Sequence, residues 1–112
     1  MLKYFSSMKR HLAICKGDSG EQILQGKKTA DVRSSNRKLP PYGMLSSGDL
    51  VYIKPSGKDI IGQFKVKKVI FYDDPEAAAR YKTEISIGET QRFITAPIKI
   101  PKKDSRGWVV ID

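Results

Sequence analysis

The segment GKKTADVR combines three cationic side chains with one carboxylate, that of Asp31. Alternation along a strand places Thr29, Asp31 and Arg33 on one face and the apolar Ala30 and Val32 on the other. Arginine suits nucleic-acid recognition because its planar guanidinium binds a phosphate or a base edge through two hydrogen bonds at once. Asp31 therefore either orients a cation toward such a ligand or forms an ion pair with only a structural role.

Two further segments place cations beside groups that can bind nucleic acid. RKLPPYG holds Arg37, Lys38 and Tyr42, and an aromatic ring can stack on a base while the cations hold the backbone. A tyrosine that follows two prolines is equally typical of a residue that fills a loop. YIKPSG holds Lys54 and Ser56, which by themselves indicate an ordinary turn.

Three lysines, Lys65, Lys67 and Lys68, interrupt the apolar segment IIGQFKVKKVIFY. They form a basic stripe that could contact phosphates. The more common explanation is an edge strand, which lysine keeps from pairing with another chain, and that explanation is favoured here.

The charge of the chain is strongly positive. It has 21 Lys and Arg against 12 Asp and Glu over 112 residues, which gives a net charge of +9 and a pI of about 9.7. A domain pI above about 9 is typical of nucleic-acid-binding proteins, although a high net charge also serves solubility alone. The length allows one domain with a single core.

The rare residue types exclude several kinds of site. One cysteine, Cys15, and one histidine, His11, cannot form an internal disulfide or a Cys/His zinc site, and both are most simply structural. No apolar run approaches the roughly 20 residues that cross a bilayer, and the first residues do not have the pattern of a signal peptide. We therefore expect a cytoplasmic protein with no membrane contact and no cofactor.

Most of the chain has the pattern of short strands separated by glycine and proline. We expect strands at residues 10–15, 28–34, 49–55, 60–72, 82–88, 90–100 and 106–112. In the longest of them the alternation of apolar residues changes phase at Lys68. A β-bulge or a sharp bend near Lys67–Lys68 would restore it.

Two segments have the pattern of a short helix. Asp18 and Glu21 have the spacing of a capping box, and Gly26 is suited to end the helix that they begin. The second segment, DDPEAAARY at residues 73–81, has an early proline followed by three alanines.

These elements together predict a mixed α+β fold that is mainly β. The expected architecture is a small barrel with two short helices. Residues 10–112 form its single domain, and residues 1–9 form a loosely ordered lead-in.

The order of the segments resembles the ASCH domain of the PUA-like superfamily. The resemblance is carried by HLAIC, QILQGKKTADVR, PYGMLSSGDLVYIKPSG and IIGQFKVKKVIFY, and by the tail from RYKTEISIG to PIKIPKKDSRGWVVI. It covers nearly all of residues 10–111. It implies a PUA-like β-barrel with a groove beside the first helix, lined by the Gly-Lys-Thr strand, and a role in RNA binding. Some ASCH proteins are reported as nucleases, and a related small group hydrolyses an acetylated cytidine with a Lys-Thr-Glu set.

The resemblance also implies which residues form the site. Lys28, rather than Lys27, aligns with the lysine of the family motif, and Lys54 and Ser56 match its barrel-turn motif. We expect a non-catalytic module that binds RNA or another single-stranded nucleic acid in a basic groove. The residues expected to line it are Lys28, Thr29, Asp31, Arg33, Arg37, Tyr42, Lys54 and Ser56.

An enzyme is the alternative function: a ribonuclease or, with less support, an amidohydrolase acting on a modified nucleoside. Lys28 and Asp31 would then be catalytic. Asp31 stands where the acetylcytidine hydrolases have threonine, and a carboxylate there keeps Lys28 protonated, the wrong state for attack. A nuclease needs an acid/base pair or a divalent cation such as Mg²⁺, for which Asp31 with Glu84 or Glu89 supplies carboxylates.

Overall fold

Strands account for most of the structure, a computed structural model that describes residues 9–94 and the strand at 108–111. The elements, in chain order, are β1 (Arg10–Cys15), α1 (Ser19–Leu24), β2 (Ala30–Ser35), β3 (Leu50–Pro55), β4 (Gly62–Asp73), β5 (Tyr81–Arg92) and β6 (Trp108–Ile111). The mainly β fold class is confirmed. The strand residues predicted at 95–100 and the lead-in predicted at 1–9, apart from Lys9, lie outside the described residues.

All six strands belong to one sheet, in the order β2-β5-β4-β3-β1-β6. β2, β5, β4 and β3 pair antiparallel, and β1 is parallel to both β3 and β6. Three strands separate β2 from β1 in this order, yet Arg33 of β2 donates a hydrogen bond to the Ile14 carbonyl of β1 at 3.4 Å. The sheet must therefore curl so that β2 returns toward β1, which is the geometry of a partly open barrel.

The main core lies on one face of this curled sheet, called the inner face below. Its buried residues come from β1, β3, β4 and β5, with Leu45 from the loop before β3: Ala13, Cys15, Val51, Ile53, Phe64, Val66 and Ile85. A smaller apolar cluster, Leu12, Tyr52 and Ile60, packs with Phe93 on the other side. β1 and β3 are consequently buried on both faces, which explains their continuous apolar sequences.

Helix α1 packs on the inner face and contributes Ile23, which is 2 % exposed, to the core. Gly20 lets the helix approach β3 closely, since a Cβ at this position would lie 2.7 Å from Ile53 Cγ2. An ion pair between Glu21 and Arg92 links the helix to the end of β5. In the described part of the chain, no helix is long and apolar enough to span a membrane.

Of the two predicted ends of α1, the C-terminal one is confirmed and the N-terminal capping box is wrong. Gly26, with φ of 78°, turns the chain after the helix as expected, and the backbone N–H groups of Lys27 and Lys28 donate to the Gln22 carbonyl. The capping box does not form. Asp18 has φ −98° and ψ 13° rather than the extended conformation of a capping residue, and its carboxylate instead accepts a hydrogen bond from Gln22 Nε2 at 3.1 Å.

The predicted bulge in the longest strand is confirmed. The register between β4 and β5 shifts between Phe64 and Val66 and again between Val66 and Lys68. The first shift adds a residue to β5, and the second adds Lys67 to β4, so the two irregularities compensate. Phe64 and Val66 before the bulge, and Val69 after it, therefore all contact the main core.

The second predicted helix was wrong. Residues 74–80 form turns and bends that join β4 to β5. The two strands remain paired up to Asp73 and Tyr81, and the Asp74 N–H donates to the Arg80 carbonyl at 2.9 Å. So short a connection must bring its two ends together, and three alanines alone do not stabilise a helix against that constraint.

The expectation that Lys65, Lys67 and Lys68 mark an edge strand was wrong for Lys65. All three belong to β4, which pairs with β5 along most of its length and with β3 in register only at residues 62–65. All three side chains are exposed. Lys65 therefore lies between two paired strands, and with Lys67 and Lys68 it forms a basic surface on the outside of β4.

His11 has the structural role that the sequence predicts. The side chain is fully buried, and its Nε2 lies 2.9 Å from Oδ2 of the buried Asp49. The same carboxylate accepts the backbone N–H groups of Ser46 at 3.0 Å and Lys9 at 3.2 Å. Asp49 thus fixes the loop before β3 against the start of β1.

The contact between α1 and β3 can be tested with Gly20→Ala. The added methyl group would overlap Ile53, and overpacking of this kind costs about 1–3 kcal/mol, whereas alanine is otherwise better than glycine in a helix by about 1 kcal/mol. We expect a lower urea midpoint of unfolding than for wild type. Gln25→Ala, at the exposed end of the same helix, should leave the midpoint nearly unchanged. A Gly20→Ala protein more stable than wild type by about 1 kcal/mol, the gain that alanine gives in a helix where it fits, would contradict the close packing.

Candidate nucleic-acid interface

Strand β2 has the predicted alternation, but its polar side chains face inward. Asp31 pairs with Ile85 and Arg33 with Thr83, and both of these β5 partners are 1 % exposed. Val32 is 51 % exposed on the opposite face. Directly paired residues of antiparallel strands share a face, so Asp31 and Arg33 lie on the inner face beside the core.

Two cations share the carboxylate of Asp31. Arg33 Nε donates to Oδ2 at 2.7 Å, and Lys28 Nζ donates to Oδ1 at 2.9 Å. Asp31 is only 7 % exposed. Both of its oxygens accept charge-assisted hydrogen bonds, which are stronger than neutral ones, and this compensates for its burial.

The guanidinium of Arg33 is held at two points. In addition to the bond from Nε to Asp31, Nη1 donates to the Ile14 carbonyl at 3.4 Å. Within the described part of the chain, its Nη2 makes no hydrogen bond. The side chain thus spans the gap between β2 and β1 and keeps donors available for a ligand.

A polar pocket of about 350 Å³ opens on one side of Arg33. Lys16 and Ser19 reach it from the segment that joins β1 to α1, and Ser56 reaches it from the turn after β3. Its lining consists of Ile14, Lys16, Ser19, Asp31, Arg33 and Ser56. Lys16 is exposed and has no ion-pair partner among residues 9–94.

Arg33 also lines an aromatic pocket of about 380 Å³. It shares Lys16 and Arg33 with the polar pocket, so the two pockets adjoin at these residues, and together they are called the groove below. The rest of its lining is apolar or carries hydroxyl groups: Ser34, Ser35, Leu39, Pro40, Pro41, Tyr42, Tyr81 and Thr83.

Two tyrosines form one wall of the aromatic pocket. The ring of Tyr42 meets the ring of Tyr81 edge-on, with centroids 5.1 Å apart, and meets Phe71 in the same way at 5.4 Å. Arg80 and Lys38 lie over the Tyr81 ring, 5.1 Å and 5.7 Å from its centroid. Aromatic surface and positive charge therefore occur together at this end of the groove.

Cys15 lies beside the groove but does not add a nucleophile to it. Burial raises the pKa of its thiol, although the nearby Arg33 acts in the opposite direction. The side chain is 2 % exposed and packs in the main core. At neutral pH the thiol is therefore protonated, as expected for a structural cysteine.

Five of the eight predicted site residues meet at the groove. Asp31, Arg33, Tyr42 and Ser56 line it, and Lys28 bonds to Asp31 just behind it. The other three, Thr29, Arg37 and Lys54, line neither pocket.

Each of these three has a different position. Thr29 precedes β2, and its carbonyl accepts the Ile87 N–H at 2.9 Å. Arg37 is exposed in the loop after β2, with its backbone N–H bonded to Ser35 Oγ at 3.2 Å. Lys54 is half-buried near the end of β3, opposite Ile14 of β1.

Sequence reasoning missed Lys16 and Tyr81, both of which line the aromatic pocket. Lys16 directly follows the last residue of β1, and such strand-end positions often carry site residues. Tyr81 enters the site because β5 begins opposite Ser35, the last residue of β2. No local pattern in the sequence reveals that pairing.

The carboxylates proposed for a nuclease are not brought together. Glu84 pairs with the outward-facing Val32 and accepts a hydrogen bond from Tyr72 at 3.2 Å, so it lies on the opposite face from Asp31. Glu89 lines a separate depression beside Lys65. The part of the chain that the structure describes contains no group of three His, Cys, Asp or Glu residues that could hold a metal ion.

Asp31→Asn tests whether this carboxylate organises the groove. We expect it to lower the free energy of unfolding by about 1–3 kcal/mol, the scale on which hydrogen bonds to charged groups contribute. Asparagine has one acceptor oxygen in place of two, so one of the two hydrogen bonds is lost and the other no longer joins opposite charges. Asp73→Asn is the matched control because Asp73 also accepts from an arginine Nε, at 2.5 Å, but both side chains are largely exposed. Urea unfolding of the two variants should show a clear loss only for Asp31→Asn. Equal stabilities would contradict a structural role for Asp31.

The fold is similar to crystal structures of an ASCH protein from Zymomonas mobilis. That protein matches with a TM-score of 0.58 and 16% sequence identity, over 75% of this chain and 70% of its own. A single-residue mutant of the same protein matches with the same TM-score and identity, over 75% of this chain and 72% of its own. No protein-family model and no curated protein matches the sequence. The structural likeness confirms the fold that the sequence motifs predict: the chain has the fold of this ASCH protein, a small, partly open β-barrel.

Proposed function

We propose that this protein binds single-stranded RNA in the groove between β1 and β2 and carries out no chemical step on it. The observation that supports this most strongly is the way in which the guanidinium of Arg33 is held. Its guanidinium is fixed by Asp31 and the Ile14 carbonyl, lies between two pockets, and retains donors for a ligand. A preoriented arginine fork is suited to phosphate oxygens.

The charge around the groove favours an anionic ligand. Lys16, Lys28 and Arg33 surround a single carboxylate, that of Asp31, and the last two already exceed its charge by one. Lys16 is left as an unpaired cation at the opening, within the described residues. In a chain with a net charge of +9, these cations would attract a phosphate backbone and release its counterions.

The motifs shared with ASCH domains favour RNA over other polyanions, because the PUA-like superfamily is mostly associated with RNA. The single cysteine is consistent with a reducing compartment, and we propose the cytoplasm as the location. No membrane contact and no cofactor enter the proposal.

The amidohydrolase alternative is less favoured by the geometry. Lys28 would have to act as a base or nucleophile, and an ammonium group has no lone pair for either task. Its Nζ lies 2.9 Å from Asp31 Oδ1 and is occupied as the donor of that ion pair. The ribonuclease alternative is tested in the binding experiment below.

Lys16→Ala should weaken RNA binding more than the loss of the same charge elsewhere. Lys67→Ala is the matched control, since Lys67 is also exposed but lies on the outer surface of β4, away from the groove. Fluorescence anisotropy with a labelled single-stranded RNA pool, over a series of salt concentrations, measures both affinity and salt dependence. We expect Lys16→Ala to reduce the slope of log affinity against log salt by about 0.7, the value for one phosphate contact on a single strand.

Two results would contradict the proposal. Binding that does not depend on salt would exclude phosphate contacts as its source. Equal losses for Lys16→Ala and Lys67→Ala would show that only overall charge matters. RNA recovered from each reaction, with and without Mg²⁺, is also run on a denaturing gel, where cleavage that Lys28→Ala abolishes would favour the ribonuclease instead.

A further inference from the structure

We propose that the aromatic pocket holds one unpaired base of the RNA while the adjoining phosphate binds Lys16 and Arg33. This rests on the proposed RNA-binding function and makes it more specific. The two pockets share Lys16 and Arg33, so a ligand that fills the aromatic pocket lies against the same cations that line the polar pocket. One nucleotide has the matching arrangement, with a flat aromatic part joined to an anionic part.

The aromatic pocket is lined by flat aromatic and apolar side chains, on which a base can stack. Tyr42 and Tyr81 supply aromatic rings, and Pro40 and Pro41 supply flat apolar surface. Leu39 stands at the opening and is 45 % exposed, although it is a large apolar residue. Bases stack on surfaces of this kind, and stacking depends little on which base is present.

The pocket is also formed in advance of any ligand. Tyr42 is held by edge-on contacts with Phe71 and Tyr81. Its loop is closed by hydrogen bonds from the Tyr42 N–H to the Leu39 carbonyl at 2.9 Å and from the Met44 N–H to the Pro41 carbonyl at 3.0 Å. Because the walls are already ordered, binding loses little of its free energy to ordering the loop.

Polar groups in the pocket can meet the edge of a base. Ser35 from β2 and Thr83 from β5 lie on the inner face beside Arg33 and contribute to the lining. A hydroxyl can donate one hydrogen bond and also accept, so these two residues provide polar groups of both kinds for the edge of a base. The pocket therefore offers stacking, edge contacts and a phosphate site within about 380 Å³.

This arrangement selects against double-stranded nucleic acid. In a duplex both faces of each base are covered by its neighbours, and its pairing edge is occupied, so it cannot enter a pocket of this size. A base in a loop or a single strand can turn out of the chain and enter. The inferred ligand is thus an RNA with at least one unpaired, extruded base.

The first test changes the ligand and leaves the protein intact. Anisotropy is measured with a short labelled single-stranded RNA, with an RNA of the same length in which every base is removed, and with the duplex. We expect the single strand to bind about 5- to 150-fold more tightly than the abasic strand, the range that stacking of one base contributes. The duplex should bind no better than the abasic strand.

The second test changes the pocket. Tyr81→Leu removes an aromatic wall, and Tyr72→Leu is its control, because Tyr72 is a tyrosine of the outer face that lies outside both pockets. Thermal unfolding confirms that both variants are folded. We expect Tyr81→Leu to bind the normal strand about as weakly as the abasic one, and Tyr72→Leu to retain the difference between the strands.

The outcomes separate this inference from the proposed function. If normal, abasic and duplex RNA all bind with the same salt-dependent affinity, the groove recognises phosphate alone and the base pocket is wrong, while RNA binding stands. If none of the three binds, both proposals are wrong. If the preference for the normal strand survives Tyr81→Leu, a base is bound elsewhere and the assignment to this pocket is overturned.

Discussion

Two cations share the carboxylate of Asp31 on the inner face of β2, and the geometry of the groove depends on that contact. Asp31 holds Arg33 by its Nε at 2.7 Å, which leaves Nη1 directed at the Ile14 carbonyl of β1. Without the carboxylate, a guanidinium that is only partly exposed would lack its charged partner. The same contact occupies Lys28 and leaves Lys16 as the cation available to a ligand, within the described residues.

The curl of the sheet brings β2 with Asp31 and Arg33 next to β1, and the groove forms between the two strands. β1 and β2 are separated by three strands in the sheet order, yet they meet through Arg33. The groove lies in the gap that remains between them, with α1 packed on the inner face beside it. The lysines of β4 lie outside this gap, on the outer surface of that strand, so the two basic regions of the protein are distinct surfaces.

The sequence predicted the positions of the strands better than it predicted their inner faces and their pairing partners. Period-2 alternation located the main strands and the bulge at Lys67, because these features depend on neighbouring residues alone. The same alternation could not say which face of β2 is inside. That is decided by its pairing with Ile85 and Thr83, about fifty residues away in the chain, and apolar residues such as Val32 wrongly suggest the opposite. Tyr81 was missed for the same reason. The helix predicted at 73–81 does not form because the β4–β5 hairpin pairs Asp73 with Tyr81.

The most direct test of the central claim is to map where RNA contacts the intact protein. Backbone amide signals of ¹⁵N-labelled protein are followed by NMR while unlabelled single-stranded RNA is added. The account predicts that shifts concentrate at residues 14–19, 31–35, 39–42 and 81–83, the segments that meet at the groove. The signals of Lys65, Lys67 and Lys68 on the outer surface should change little. Shifts centred on residues 65–68, with the groove unaffected, would contradict it and assign the interaction to the lysines of β4.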